Sequence, residues 1–260
     1  MRAVALVPAA GLGVRMAGGL ARRSLPAGQA GPPGAGGKSP TGAGPPKQLV
    51  ELEGVPILFW TLRKLAACRR LERTIVALRP EDREAVASRL AREDYAARVS
   101  LANGGESRQE SVANALKEVP ENTDLVLVHD AVRPFVEVAL IERALDAGAE
   151  TGAAILGLPA ADAVKQVEPA GGTHASRITT TLPRERIVLA QTPQVFRYAL
   201  LKEALEAARR DAFHGSDEAA LVERLGHPVT VVMGSERNLK ITTPADLELA
   251  RFLLAQERAR

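Results

Sequence analysis

Short apolar runs with polar edges recur along the chain at 3–8 (AVALVP), 73–78 (RTIVAL), 98–103 (RVSLAN), 124–130 (DLVLVHD), 152–159 (GAAILGLP) and 228–234 (PVTVVMG). Between them, apolar residues return at helical spacing over 57–68, 81–93, 107–118, 137–149, 197–209 and 244–258. Apolar runs this short, bounded by turn residues, fit strands buried on both faces. Strands separated by helices of about 10–15 residues build a parallel sheet, because each crossover helix covers a face. The expected fold class is α/β: a mainly parallel twisted sheet with helices on both faces, Rossmann-like, in one domain spanning 1–260. In such sheets ligands bind beyond the carboxyl ends of the strands. VPAAG (7–11), ANGGES (102–107) and VHDAVR (128–133) all follow strand patterns, so they are expected to face one crevice.

Two stretches break this rhythm. Residues 17–46 hold 9 Gly and 6 Pro in 30 positions and no acidic residue. Too little apolar surface is available there to offset chain entropy, which predicts a flexible surface insert. Residues 160–187 hold two polar, strand-like pieces around EPAGG, a hairpin signal. A polar two-stranded ribbon is marginal alone, and it is expected to lean on a second subunit as a dimerisation arm.

Composition narrows the classes. Of 260 residues, 46% are hydrophobic and 25% charged, with a net charge of +3, as in an ordinary globular enzyme. That excess is too small to point to nucleic acid, and no Lys/Arg block resembles a basic arm. One cysteine, Cys68, excludes a disulfide framework and a Cys-based metal site. It reads as a small buried apolar residue on a helix. Five apolar residues before Pro8 are too few for a signal-peptide core, and no run approaches a membrane span. The expectation is a cytoplasmic protein with no membrane partner.

The segment VPAAGLGVRM (7–16) reads as a strand end entering a glycine-rich turn. Small residues there let backbone N–H groups approach a phosphate. A dinucleotide fingerprint needs a third glycine and an acid about 20 residues later. Here Gly11 and Gly13 fit, Met16 replaces the third glycine, and the acid would fall in the acid-free insert. GAGGKS (34–39) imitates the end of a P-loop, but Pro32 stands where its first glycine belongs and Pro40 where its helix should start. What the turn does offer is cations: Arg15 inside it and Lys47 after the insert. Phosphoryl transfer asks a protein chiefly for positioning and positive charge. Ser107 and Glu110 have capping-box spacing, which places a helix start at 107 and favours anions there. Asp130 ends an apolar strand at the carboxyl edge. His129 beside it suggests a His-Asp metal site, but the chain has only four histidines, widely scattered.

PAAGLGVRM, PKQ (46–48) and HDAVRPF (129–135) together resemble the 2-C-methyl-D-erythritol 4-phosphate cytidylyltransferases of non-mevalonate isoprenoid biosynthesis. The likeness continues, in the family's order, through GGESRQESV (104–112), LAQTPQVF (189–196), GSDEAALVE (215–223) and NLKITTPADL (238–247). The resemblance implies CTP-dependent transfer of CMP to a polyol phosphate, with release of pyrophosphate and help from Mg²⁺. It implies that Arg15 and Lys47 are catalytic, stabilising the transition state at the α-phosphate. Pro8, Ala9, Ala10, Gly11, Gly105, Glu106, Arg108, Ser111, Asp130 and Ala131 would bind CTP. Asp130, Arg133, Arg184, Ser216 and Lys240 would bind the acceptor, and Asp130 would also meet the metal. The arm would cross within a homodimer and carry Arg184 into the partner's site.

Three departures stand out. Ser216 occupies a position where the family commonly has threonine. Ala163 follows Asp162 where the family often has a threonine contacting the substrate phosphate. The 17–46 insert is longer than the family's loop between Arg15 and Lys47. A ribitol 5-phosphate cytidylyltransferase shares many of these motifs and remains an alternative. A catalytically silent nucleotide sensor is a further one, against which the retention of both Arg15 and Lys47 speaks.

Overall fold

The structure, a computed structural model, describes residues 1–11, 46–168 and 176–258. Within them one sheet is built from seven strands: β1 (Ala3–Pro8), β4 (Leu71–Leu78), β5 (Val99–Asn103), β6 (Leu125–Val128), β7 (Ala153–Pro159), β10 (Val188–Arg197) and β11 (Thr230–Met233). Their order across the sheet is β11-β7-β10-β6-β1-β4-β5. Six run parallel; β10 alone is antiparallel to its neighbours β6 and β7. The expected mainly parallel α/β sheet is therefore present. The six helical patterns become α1 (Ile57–Ala67), α2 (Arg83–Leu90), α3 (Arg108–Leu116), α4 (Val138–Thr151), α5 (Tyr198–Arg210) and α7 (Pro244–Arg258). A seventh helix, α6 (Glu218–Arg224), was not legible from periodicity, because seven residues span only two turns.

β1 shows why its sequence is apolar throughout. Side chains alternate faces along a strand. Ala3, Ala5 and Val7 join one core with Leu58 and Leu62 of α1 and Ile141 and Leu145 of α4. Val4 and Leu6 join the other with Val112 of α3 and Leu201 of α5. Both faces are covered, so neither tolerates a polar residue, and each fully buried Val or Leu contributes roughly 1.5–3 kcal/mol. A third cluster packs Leu253 and Leu254 of α7 on Ile57, Val132, Phe135 and Ile241. Cys68 is buried at the end of α1, as expected.

The arm is an exposed antiparallel pair, β8 (Val164–Val167) with β9 (Ile178–Leu182). Most of its EPAGG turn lies outside the described residues, as does all of the 17–46 insert except Pro46. A second small pair, β2 (Glu51–Leu52) with β3 (Val55–Pro56), went unpredicted because two-residue strands carry no period.

Candidate active site

The carboxyl ends of β1, β5 and β6 meet at one crevice. Past β1, the Ala9 N–H donates to the Ala77 carbonyl, and past β5 the Gly104 N–H donates to the Leu78 carbonyl, prolonging the ladder into the loops. At Gly104 a Cβ would collide with Ala10 and crowd the Leu78 carbonyl. Only glycine lets the 104–106 loop close on the end of β1. Lys47 begins a single 3₁₀ turn, and the buried Gln48 beside it donates from Nε2 to the Ala9 carbonyl at 2.5 Å. That bond pins the Lys47 segment to the turn after β1.

Ser107 caps α3 by accepting from the Glu110 N–H at 3.0 Å. Glu110 reaches back to the Glu106 N–H at 2.8 Å rather than to that of Ser107, a capping box shifted by one residue. The Ser111 hydroxyl accepts from the Gly105 N–H and donates to the Ser107 carbonyl. Its hydrogen bonds hold the loop shape.

A cleft of about 550 Å³, counting its open mouth, is lined by Pro8–Gly11, Lys47, Gln48, Gly105–Arg108, Ser111, Asp130–Val132 and Lys240. A second cavity of about 400 Å³ shares Arg108, Asp130 and Lys240 with it and adds Arg133, Gln191, Thr192, Gln194, Ser216 and Asp217. The sequence-predicted nucleotide residues thus fall around the first cleft, and Arg133 and Ser216 open onto its neighbour. Arg184 lines neither. It stands exposed at the base of the arm, donating to the Ala161 carbonyl at 2.9 Å and facing Glu185 at 3.7 Å. Arg15 lies outside the described residues.

Asp130 is the hub joining the two cavities. Its Oδ1 lies 3.2 Å from Arg108 Nε, and its Oδ2 lies 2.8 Å from Lys240 Nζ and 3.3 Å from Arg133 Nε. Burial alone would raise its pKa, but Arg108, Lys240 and Arg133 hold it well below the usual carboxylate range. Arg108 also gives Nη1 to both oxygens of the buried Glu218, at 2.7 and 2.8 Å. Burial works against that guanidinium, yet Glu218 and Asp130 keep it charged, above the ordinary arginine value. Burial pushes the Glu218 carboxyl up. Three cations, Arg108, Arg133 and Lys240, thus converge on Asp130 where the two cavities meet.

A profile of the 2-C-methyl-D-erythritol 4-phosphate cytidylyltransferase family matches residues 32–256. The chain belongs to this family. Among relatives of that name, the protein of Solibacter usitatus is 48% identical over 260 residues, covering all of this chain and 98% of its own. That of Acidobacterium capsulatum is 48% identical with full coverage of both chains. The chain also superposes on the cytidylyltransferase of Thermus thermophilus with TM-score 0.70 and 34% identity, covering 97% of this chain and 98% of that one.

Several residues that support this site carry no signal in the sequence, where His129 suggests only a metal site. His129 is fully buried, and among the described residues no group of three or more His, Cys, Asp and Glu is arranged for a metal. The Asp130 N–H donates to Thr192 Oγ1 at 3.0 Å, and that hydroxyl lies 3.0 Å from His129 Nδ1. His129 Nε2 lies 3.2 Å from the Arg133 carbonyl. A neutral ring protonated on Nε2 satisfies every link: it donates to Arg133 and accepts from Thr192. The chain therefore fixes both Asp130 and Arg133. Asn238 ties down the other side, its side-chain amide donating to the Thr192 carbonyl at 2.8 Å while its backbone carbonyl accepts from Arg133 Nη1 at 2.7 Å.

Burial lowers the His129 pKa to about 4, with Asp130 opposing. The folded value lies below the unfolded one, about 6.5, so the native state binds fewer protons between them. The stability contributed is complete above about pH 6.5 and is lost as pH falls towards 4, at up to about 1.4 kcal/mol per pH unit. In urea titrations His129→Gln should therefore lose about 3 kcal/mol less than wild type between pH 7 and pH 4. Parallel pH curves would show that His129 is not held neutral.

Proposed function

We propose that this chain transfers a cytidylyl group from CTP to 2-C-methyl-D-erythritol 4-phosphate and releases pyrophosphate. The carrying observation is Asp130, ionised and ringed by Arg108, Arg133 and Lys240, at the shared wall of two cavities. That arrangement suits two phosphorylated ligands meeting end to end. The nucleotide lies in the cleft over Pro8–Gly11, with Gly105, Glu106, Arg108 and Ser111 around its base and ribose. The acceptor lies in the second cavity, facing Arg133, Ser216 and Lys240.

An oxygen of the acceptor phosphate attacks the α-phosphorus in line. A new P–O bond forms as the bond to the bridging α–β oxygen breaks, and the electron pair leaves with pyrophosphate. The acceptor phosphate is already ionised at neutral pH, so the protein supplies alignment and positive charge rather than a base. Lys47, held beside Ala9 by its neighbour Gln48, meets the α-phosphate, and Arg15 is assigned the same role. Mg²⁺ is commonly bound by one carboxylate plus substrate phosphates, and Asp130 is the carboxylate where the two cavities meet. Asp130 would hold the ion, and it would neutralise charge on the triphosphate.

The protein is further proposed to work as a cytoplasmic homodimer with exchanged arms. Exposed Val188 and Val231 support the pairing of two copies. A Cβ placed at Gly157 would touch both Val188 and Val231, so these two share one sheet face. Contiguous exposed apolar side chains mark interfaces.

Pyrophosphate release with CTP and each of two acceptors tests the assignment. Turnover is expected with 2-C-methyl-D-erythritol 4-phosphate and not with ribitol 5-phosphate. The reverse would reassign the acceptor, and CTP binding without turnover on either would favour a sensor.

A further inference from the structure

The first turn of α3 is tied to the segment that carries Ser216. Gln109 Oε1 accepts from the Gly215 N–H and its Nε2 donates to the Phe213 carbonyl, both at 3.0 Å. Arg108 pairs with Glu218 alongside. Glu218 in turn opens a helix anchored from β10. Its N-cap Asp217 accepts from the Ala220 N–H and from Gln194 Nε2, and Gln194 Oε1 accepts from the Ala219 N–H. Glu218 therefore cannot drift, and only 1% of it is exposed.

Glu218 lines neither cavity, so it is not placed to touch a ligand. A buried ion pair is also a weak stabiliser, because desolvation offsets most of its attraction. What Glu218 does fix is the guanidinium. With both carboxylate oxygens on Nη1, the Nε edge of Arg108 is left to Asp130. We infer that Glu218 is a positioning residue: from the acceptor side it sets the place of Arg108 in the nucleotide cleft, so the two halves of the site share one ion-pair chain. This rests on the assignment of that cleft to CTP.

Calorimetric titration of CTP without acceptor separates position from charge. Removing a negative charge should, by Coulomb attraction alone, tighten an anion. If Glu218 acts by position, Glu218→Gln weakens CTP instead, by roughly tenfold, the scale at which supporting residues act on a bound group. A merely structural residue would lower the melting temperature and the binding stoichiometry but leave the Kd of the folded fraction unchanged. A Kd within about twofold of wild type, or a tighter one, overturns the inference. Should that variant not fold, Glu218→Asp keeps the charge but withdraws it by one methylene. Weaker CTP binding then supports the positioning role and wild-type affinity overturns it. If wild type itself fails to bind CTP, the assignment of the cleft falls first.

Discussion

Lys47→Ala is expected to leave a folded protein whose CTP-dependent pyrophosphate release drops by about 10² to 10³, or roughly 3–4 kcal/mol of barrier, as when one preorganised donor to developing charge is removed. The segment stays in place because two of its anchors do not involve the lysine side chain. The buried Gln48 holds the Ala9 carbonyl, and the Ile57 N–H holds the Val50 carbonyl. The chemistry suffers because charge builds on the α-phosphate as the new bond forms, and water cannot replace a cation already in position. Arg15→Ala carries the same expectation. Thermal melting and circular dichroism should match wild type while pyrophosphate release collapses. Retention of more than about a third of wild-type turnover would remove Lys47 from the transition state.

The fold was legible in the sequence wherever burial is two-sided. The apolar runs at 3–8 and 152–159 lie within a residue of β1 and β7, and the helix read at 244–258 has the bounds of α7. β10 was harder. Its polar Gln191, Thr192 and Gln194 hide the strand pattern, and Pro193, which has no N–H to donate, interrupts pairing with β7 between Gln191 and Gln194. Those polar positions face Asp130, Asp217 and Asn238, so function masked the period there.

The site was legible as far as its exposed loops, because glycines and cations in loops have few structural reasons to be there. Its supports were not. Glu218, His129 and Asn238 are buried polar residues, each with a partner 46 to 110 positions away. A single sequence offers no spacing rule for such pairs. Gln48 was the nearest to a signal, being an isolated amide beside a cation.

A mixed dimer of two dead variants is expected to regain activity. In the proposed pairing the exposed arm crosses to a second copy, since a polar two-stranded ribbon is marginal by itself and closed two-fold pairing of identical elements is the commonest way to bury one. Arg184, at the base of the arm, then serves the partner's acceptor phosphate; within its own subunit its side chain meets the Ala161 carbonyl and Glu185. Lys47→Ala disables the nucleotide half of a site and Arg184→Ala the acceptor half. If Arg184 acts in trans, a heterodimer of the two places both lesions in one site and leaves the other intact, so each heterodimer works at about half the wild-type rate. If Arg184 serves its own subunit, every site carries one lesion and mixing restores nothing. The variants are mixed under conditions that let subunits exchange, and activity is followed against the heterodimer fraction. A fully active monomer on sizing chromatography would remove the dimer from the mechanism, and the trans role of Arg184 with it.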